Sequence, residues 1–244
     1  PQLKPTLAQE YNVTRDASLY IERGTQREAV DFADEQSITN AIIRLNNPTI
    51  RAVYFIGGHG ERSVDETGDT GLSQLKADLE AVNYQIKTLE VITATLPADA
   101  AAIVIAGPAQ PYSEAEVKTL GDYLAAGGKA VIMVEPSILM ELGAGQPDPL
   151  ANYLGQTWGL ALRDDIVIDP VQYIAQFGPT VPATTTYGSS TITADLTGLF
   201  TFFPSTRSIA VADASTAPGG VSTSSLITSG LDAWGETNFD SITS

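Results

Sequence analysis

Apolar and polar residues recur along this chain with two distinct periods. Near the start, Ser18-Leu19-Tyr20-Ile21-Glu22 alternates at every second residue and runs into Arg23-Gly24-Thr25-Gln26, which has turn chemistry, so a strand or hairpin is expected to lead in. From Asp34 to Leu45 the period lengthens. Ile38, Ala41, Ile42 and Leu45 fall at i, i+3, i+4 and i+7, the spacing of a helix with one buried stripe, and Asn46-Asn47-Pro48 ends it. Ala52-Val53-Tyr54-Phe55-Ile56 is short and continuously apolar, which predicts a strand buried on both faces, as in a parallel sheet. It runs into Gly57-Gly58-His59-Gly60-Glu61. Leu72, Leu75, Leu79 and Val82 mark a second helix, Tyr84 to Leu89 a strand, and Ala101 to Ala106 a further apolar run that stops at Gly107-Pro108. Ser113 and Glu116 form a capping box for a helix carrying Val117, Leu120 and Leu124, Gly127-Gly128 terminates it, and Lys129 to Val134 is the next strand.

Strand and helix patterns thus alternate from Asp34 to Val134, the sequence form of βαβ crossovers in a doubly wound, mostly parallel sheet. The fold class expected is α/β and flavodoxin-like. Beyond it, Leu150 to Trp158 reads as a helix, Asp165 to Ile168 as a short strand, and Ile209-Ala210-Val211 and Ser225-Leu226-Ile227 as weaker ones. From Thr180 onward the chain is rich in Ser and Thr, Arg207 is its only basic residue, and helical periodicity is missing. We expect one domain over 1–244, with lead-in strands in 1–33, an α/β core in 34–178 and a loop and β-rich extension in 179–244. No internal repeat is visible.

Composition narrows the function. The 13 Lys and Arg against 29 Asp and Glu leave a net charge of −16, a field that repels phosphate backbones and argues against a nucleic-acid partner. Cys is absent, which removes disulfides, thiolate nucleophiles and Cys-ligated metals. His59 is the only histidine, so no site in one chain can use two imidazole ligands. No run approaches the ~18 apolar residues that would cross a bilayer, and the chain reads as soluble, with neither metal nor cofactor expected.

Gly57-Gly58-His59-Gly60-Glu61 is the most informative pentapeptide because it follows a strand, where open α/β sheets place ligands. Read as Gly58-x-Gly60-x-x-Ser63 it is a degraded dinucleotide fingerprint. A phosphate cradle needs a helix start directly after the glycines, and here the stretch from Arg62 to Gly71 intervenes and carries acids. The plainer reading, a Gly-rich turn in which His59 and Glu61 bond local backbone, is preferred to a ligand site. Gly107, Pro108 and Glu135 share the same carboxyl edge if the sheet is parallel, so the candidate recognition surface is Gly58, His59, Gly60, Glu61, Gly107, Pro108 and Glu135. No catalytic residue is assigned: there is no Gly-x-Ser-x-Gly elbow, and no spacing singles out a carboxylate pair. Asp65, Glu66 and Asp69 read as a solvated acidic loop, and the acids of Asp164-Asp165-Ile166-Val167-Ile168-Asp169 as solvated strand ends.

Val53 to Glu61, Asn83-Tyr84, Leu96-Pro97-Ala98-Asp99-Ala100, Val104 to Pro108, Pro111-Tyr112-Ser113-Glu114-Ala115-Glu116, Leu124 to Lys129 and Asp165 to Asp169 follow one another in order. Together they resemble the extracytoplasmic domain of gliding-motility-type auxiliary proteins of ABC transport systems, the "ABC-type uncharacterized transport system" domain. The likeness continues more faintly through Phe203-Pro204-Ser205-Thr206-Arg207-Ser208 to Trp234. It departs from the family pattern at Ser189-Ser190-Thr191-Ile192-Thr193, where the family tends to have a His-Pro before the Ile-Thr pair. The resemblance implies a flavodoxin-like or glutamine-amidotransferase-like domain without known catalysis. It also implies a tether to the membrane from outside the covered chain, a place on the extracytoplasmic face, and an ABC permease and ATPase as partners. Glutaminase chemistry of the Cys type is excluded by the absence of Cys. The expected function is non-enzymatic recognition of a small ligand or a partner protein. The alternative is a carboxylate-dependent hydrolase or sugar-active enzyme with its site around His59.

Overall fold

The computed structural model describes residues 5–13, 19–30, 32–90, 95–140, 146–213 and 215–243. It is a mixed α/β structure. Strands β3 (Arg51–Ile56), β4 (Tyr84–Leu89), β5 (Ala100–Ala106) and β6 (Ala130–Met133) form a four-stranded parallel sheet in the order β4-β3-β5-β6. β3 and β5 run parallel with Val53 opposite Ala102 and Phe55 opposite Val104. The described residues gather into two compact units, one within 1–55, 62–89 and 97–104, the other within 56–61, 90–96 and 105–244.

In the first unit, helix α1 (Pro5–Glu10) precedes the expected hairpin, β1 (Leu19–Arg23) with β2 (Gln26–Val30). Gly24 takes the positive φ of +62° at its turn. Ser18, the first residue of the expected lead-in pattern, lies outside the described residues. Helix α2 (Glu35–Asn46) is capped by the Asp34 side chain, which accepts from Ser37 N, and it buries Ala41 and Leu45 of the predicted stripe. Arg44, in its last turn, donates to Glu28 Oε2 at 2.9 Å and to the Ala81 carbonyl at 2.7 Å, tying the hairpin and helix α3 (Ser73–Ala81) to α2. In β3, every residue from Ala52 to Ile56 is buried, as a continuous apolar run requires.

In the second unit, the capping box predicted from Ser113 and Glu116 starts helix α4 (Glu114–Ala125). Helix α5 (Pro149–Trp158) is capped by Asp148 and closes on Gly159 in the left-handed region, φ +66°. Three small antiparallel pairs follow: β7 (Leu160–Leu162) with β11 (Ile209–Val211), β8 (Ile166–Ile168) with β12 (Trp234–Glu236), and β9 (Ala183–Thr184) with β10 (Thr201–Phe202). Helix α6 (Asp240–Thr243) comes last. Two strands from the Ser/Thr-rich stretch, β11 and β12, therefore pair with strands that precede it.

Three expectations need correction. The run Ala130–Met133 is, like Val53–Ile56, too apolar for a half-exposed sheet and reads as covered on both faces, but β6 ends the strand order and exposes Val131 and Met133. Alternate residues of a strand point to opposite faces, so Val131 and Met133 share one face, and that face is left exposed in β6. Ser225-Leu226-Ile227 is not a strand and, among the described residues, keeps one bridge, from Ile227 to Tyr187. Of the acids around β8, Asp164 is exposed as expected, but Asp165 is 3% exposed and Asp169 is fully buried. Asp165 accepts from Ser208 N and Oγ, and Asp169 from the amides of Val171, Gln172 and Gly230. The returning carboxyl-terminal chain supplies donors that turn strand-end acids into buried anchors.

Candidate functional site

The Gly-rich turn after β3 is shaped by its glycines. Gly58 and Gly60 have φ of +103° and +78°, and a Cβ built on Gly60 would lie 2.8 Å from the Ala109 Cβ. That close approach lets the His59 carbonyl accept from the amides of Ala109 and Gln110 at 2.8 and 2.9 Å, so the turn is stapled to the loop after β5. Gly107, at φ +64°, begins that loop and donates its amide to the Met133 carbonyl, while Pro108 is completely buried beside it.

Inside the turn, Glu61 folds back so that Oε2 accepts from His59 N at 2.8 Å. Its Oε1 accepts from the Tyr112 hydroxyl, and the whole Glu61 side chain is 1% exposed. The Tyr112 ring stacks on the His59 imidazole, with centroids 4.1 Å apart and planes 28° off parallel. The imidazole Nε2 lies 3.3 Å from Glu116 Oε1, and both side chains are 12% exposed. Its Nδ1 lies 3.6 Å from Glu61 Oε1, beyond hydrogen-bond reach, and is a buried ring nitrogen without a partner. The only histidine therefore sits between two carboxylates on an aromatic floor.

Glu116 serves twice. Its Oε2 accepts from Ser113 N at 2.9 Å and Ser113 Oγ at 2.7 Å, which is the capping box of α4, and its Oε1 faces His59. Burial by itself would raise its pKa, but the Ser113 hydrogen bonds and the neighbouring imidazole outweigh burial and hold the carboxyl below its usual range. Burial, followed by the hydrogen bond to Glu61, raises the Tyr112 phenol far above its usual range, so it stays a donor.

The structure thus brings Gly58, His59, Gly60, Glu61, Gly107 and Pro108 together with Tyr112, Ser113 and Glu116. Glu135, at the end of β6, gives its carbonyl to Arg207 Nη1 at 3.1 Å. From sequence, Ser113 and Glu116 mark only a helix start, and Tyr112 carries no functional signal. A signal was available: in a parallel sheet the loops after β3 and β5 emerge at one end, so a capping residue just past β5 can face the turn after β3.

The expected local bonding of His59 and Glu61 is present through the His59 amide, and the wider contacts run to α4. Catalytic use would need a nucleophile or a water path. The Ser113 hydroxyl beside the cluster already donates to Glu116, and the Tyr112 hydroxyl to Glu61. Among the described residues no group of three His, Asp or Glu is arranged to hold a metal ion. Asp65 pairs with Lys76 at 2.7 Å on the exposed acidic loop.

No helix among the described residues is long and apolar enough to cross a membrane. No curated protein matches the chain. A solved structure titled "mmIFT52 N-terminal domain" is similar, with a TM-score of 0.51 and 19% identity over 67% of this chain and 69% of that one, a likeness of fold alone. The family model described as "ABC-type uncharacterized transport system" matches residues 51–243. That span takes in β3 with its Gly-rich turn, α4 and the small paired strands of the carboxyl-terminal part, and so the chain belongs to this family of ABC-transport auxiliary proteins.

Proposed function

We propose that this chain is a non-enzymatic recognition domain of an auxiliary subunit, working with the permease and ATPase of an ABC-type system at the extracytoplasmic face of the membrane. Family membership carries the transport part of this reading. The commitments of the carboxylates and hydroxyls around His59 support the non-enzymatic part. Glu61 is committed to His59 N and Tyr112, Glu116 to the α4 cap and the imidazole, and Ser113 to Glu116. A general base needs a substrate proton within reach, and these groups have already spent their reach on one another. The cluster acts as a lock that sets the shape of the 57–61 and 107–113 loops, and the outer faces of those loops are the recognition surface. Full-length protein, affinity-purified from detergent-solubilised native membranes, is expected to bring down a permease and an ATPase. Purified chain is expected to show no turnover on ester, amide or glycoside substrates. Recovery without any transporter subunit would overturn the transport reading. A reproducible hydrolysis abolished by His59→Ala, with circular dichroism unchanged, would overturn the non-enzymatic one.

A further inference from the structure

Away from the His59 cluster, a cavity of about 470 Å³ is bounded by the small sheets of the second unit, within the size range of small-molecule sites. Its floor is apolar. Val167 of β8 and Ala183 of β9 are buried there, Leu160 and Val211 come from the β7–β11 pair, and Phe203 and Leu226 complete the wall. The polar groups on that floor are already occupied. Thr184 Oγ1 is bonded to Thr186 N and O, and Ser208 Oγ donates to Asp165 at 2.7 Å. The opposite rim differs: Ser224, Ser225, Thr228 and Ser229 are exposed, and their hydroxyls have no protein partner among the described residues.

Charge decides what such a cavity accepts. Arg207 lines it and is the only basic residue from Thr180 onward, yet its Nε donates to the Arg163 carbonyl at 2.7 Å and its Nη1 to the Glu135 carbonyl. Asp148, Asp164 and Asp165 surround it electrostatically. Both Asp165 oxygens are taken by Ser208, both Asp164 oxygens by Ser137, and Asp148 caps α5. The Arg207 charge is offset by these three carboxylates, so an anion meets no net positive field, and the Asp164 and Asp165 oxygens are already hydrogen-bonded, so a cation would have to displace those bonds; desolvating a charge without a partner is costly. The overall charge of −16 disfavours an anion further.

We propose that this cavity is a binding site for a small uncharged amphiphile, with an aliphatic or aromatic body against the Val167 and Ala183 floor and a hydroxyl or amide group at the Ser224–Ser229 rim. The proposal does not depend on the transport reading. N-phenyl-1-naphthylamine, a neutral fluorophore, is the probe. Titrated into the purified chain, it should show saturable enhancement at one site, with octan-1-ol displacing it and octanoate, of equal chain length but charged, failing to. Ala183→Leu, which fills the floor, should weaken binding about tenfold or more, and Val211→Phe is the second filling variant should the first misfold by circular dichroism. Absence of saturation, equal displacement by octanoate, or unchanged affinity in a folded filling variant would each overturn the proposal.

Discussion

Truncating Asp169 to Ala tests whether buried acids hold the carboxyl-terminal strands onto the second unit. The carboxylate is fully buried and accepts three backbone amides, Val171 N at 3.0 Å and Gln172 N at 2.8 Å on Oδ1, and Gly230 N at 3.0 Å on Oδ2. A hydrogen bond to a charged group contributes about 1.5–3 kcal/mol. The three do not simply add, because Val171 and Gln172 are exposed and their amides can regain water once the carboxylate is gone. Gly230 is part-buried, and its amide is left in the pocket the side chain vacates. The expected loss is therefore about 3 kcal/mol, dominated by the long-range bond. Asp169→Asn keeps an acceptor for the two local amides but turns an NH₂ toward a donor or loses the local pair, so it should fall between wild type and Ala. Urea unfolding followed by tryptophan emission reads this directly. Trp158 and Trp234 both belong to this unit, and Trp234 sits opposite Ile168 in the β8–β12 pair. With a slope of about 3 kcal/mol/M, the midpoint should drop by about 1 M. Hydrogen exchange over residues 230–236 should accelerate alongside. A midpoint that stays in place, or Asn as harmful as Ala, would refute the reasoning.

Three further outcomes concern the His59 cluster. Because the Glu116 carboxyl is held below its unfolded value, its contribution is fully present above the ordinary Glu pKa of about 4.3 and is lost as pH falls through the lower folded pKa. Thermal melts from pH 6 to pH 3 should therefore decline more steeply for wild type than for Glu116→Gln; parallel slopes would refute this. Tyr112→Phe removes one of two donors to a carboxylate that is 1% exposed, and should cost about 1–3 kcal/mol by urea unfolding without changing the circular dichroism spectrum. Gly60→Ala forces a Cβ onto φ +78° and to within 2.8 Å of the Ala109 Cβ, so a loss of about 1–2 kcal/mol or more is expected. Gly24→Ala meets no atom within 4 Å and should bear only the backbone part of that strain, visible as a smaller fall in melting temperature.

Local chemistry alone determined the parts of this protein that are governed by a few consecutive residues. Ile38, Ala41, Ile42 and Leu45 recur at the helical period in α2, and the Ser113–Glu116 pair caps α4 with its own backbone. The glycines of 57–60 likewise announced a turn of unusual backbone. What a run packs against is not written in the run. Ala130–Met133 resembles β3 in composition, yet it lies at the end of the strand order and exposes Val131 and Met133, because burial belongs to the neighbour and not to the strand. The same holds for polar groups. Asp165 and Asp169 read as solvated ends until Ser208 and Gly230, distant in sequence, return with donors that make burial of a carboxylate affordable. Glu116 looked fully used as a helix cap, and only the adjacency of the loops after β3 and β5 turns its second oxygen toward His59. Hydrogen-bond satisfaction and desolvation act through space over a few ångströms, whereas periodicity and capping act along the chain, and that difference in range separates what could be read in advance from what folding had to decide.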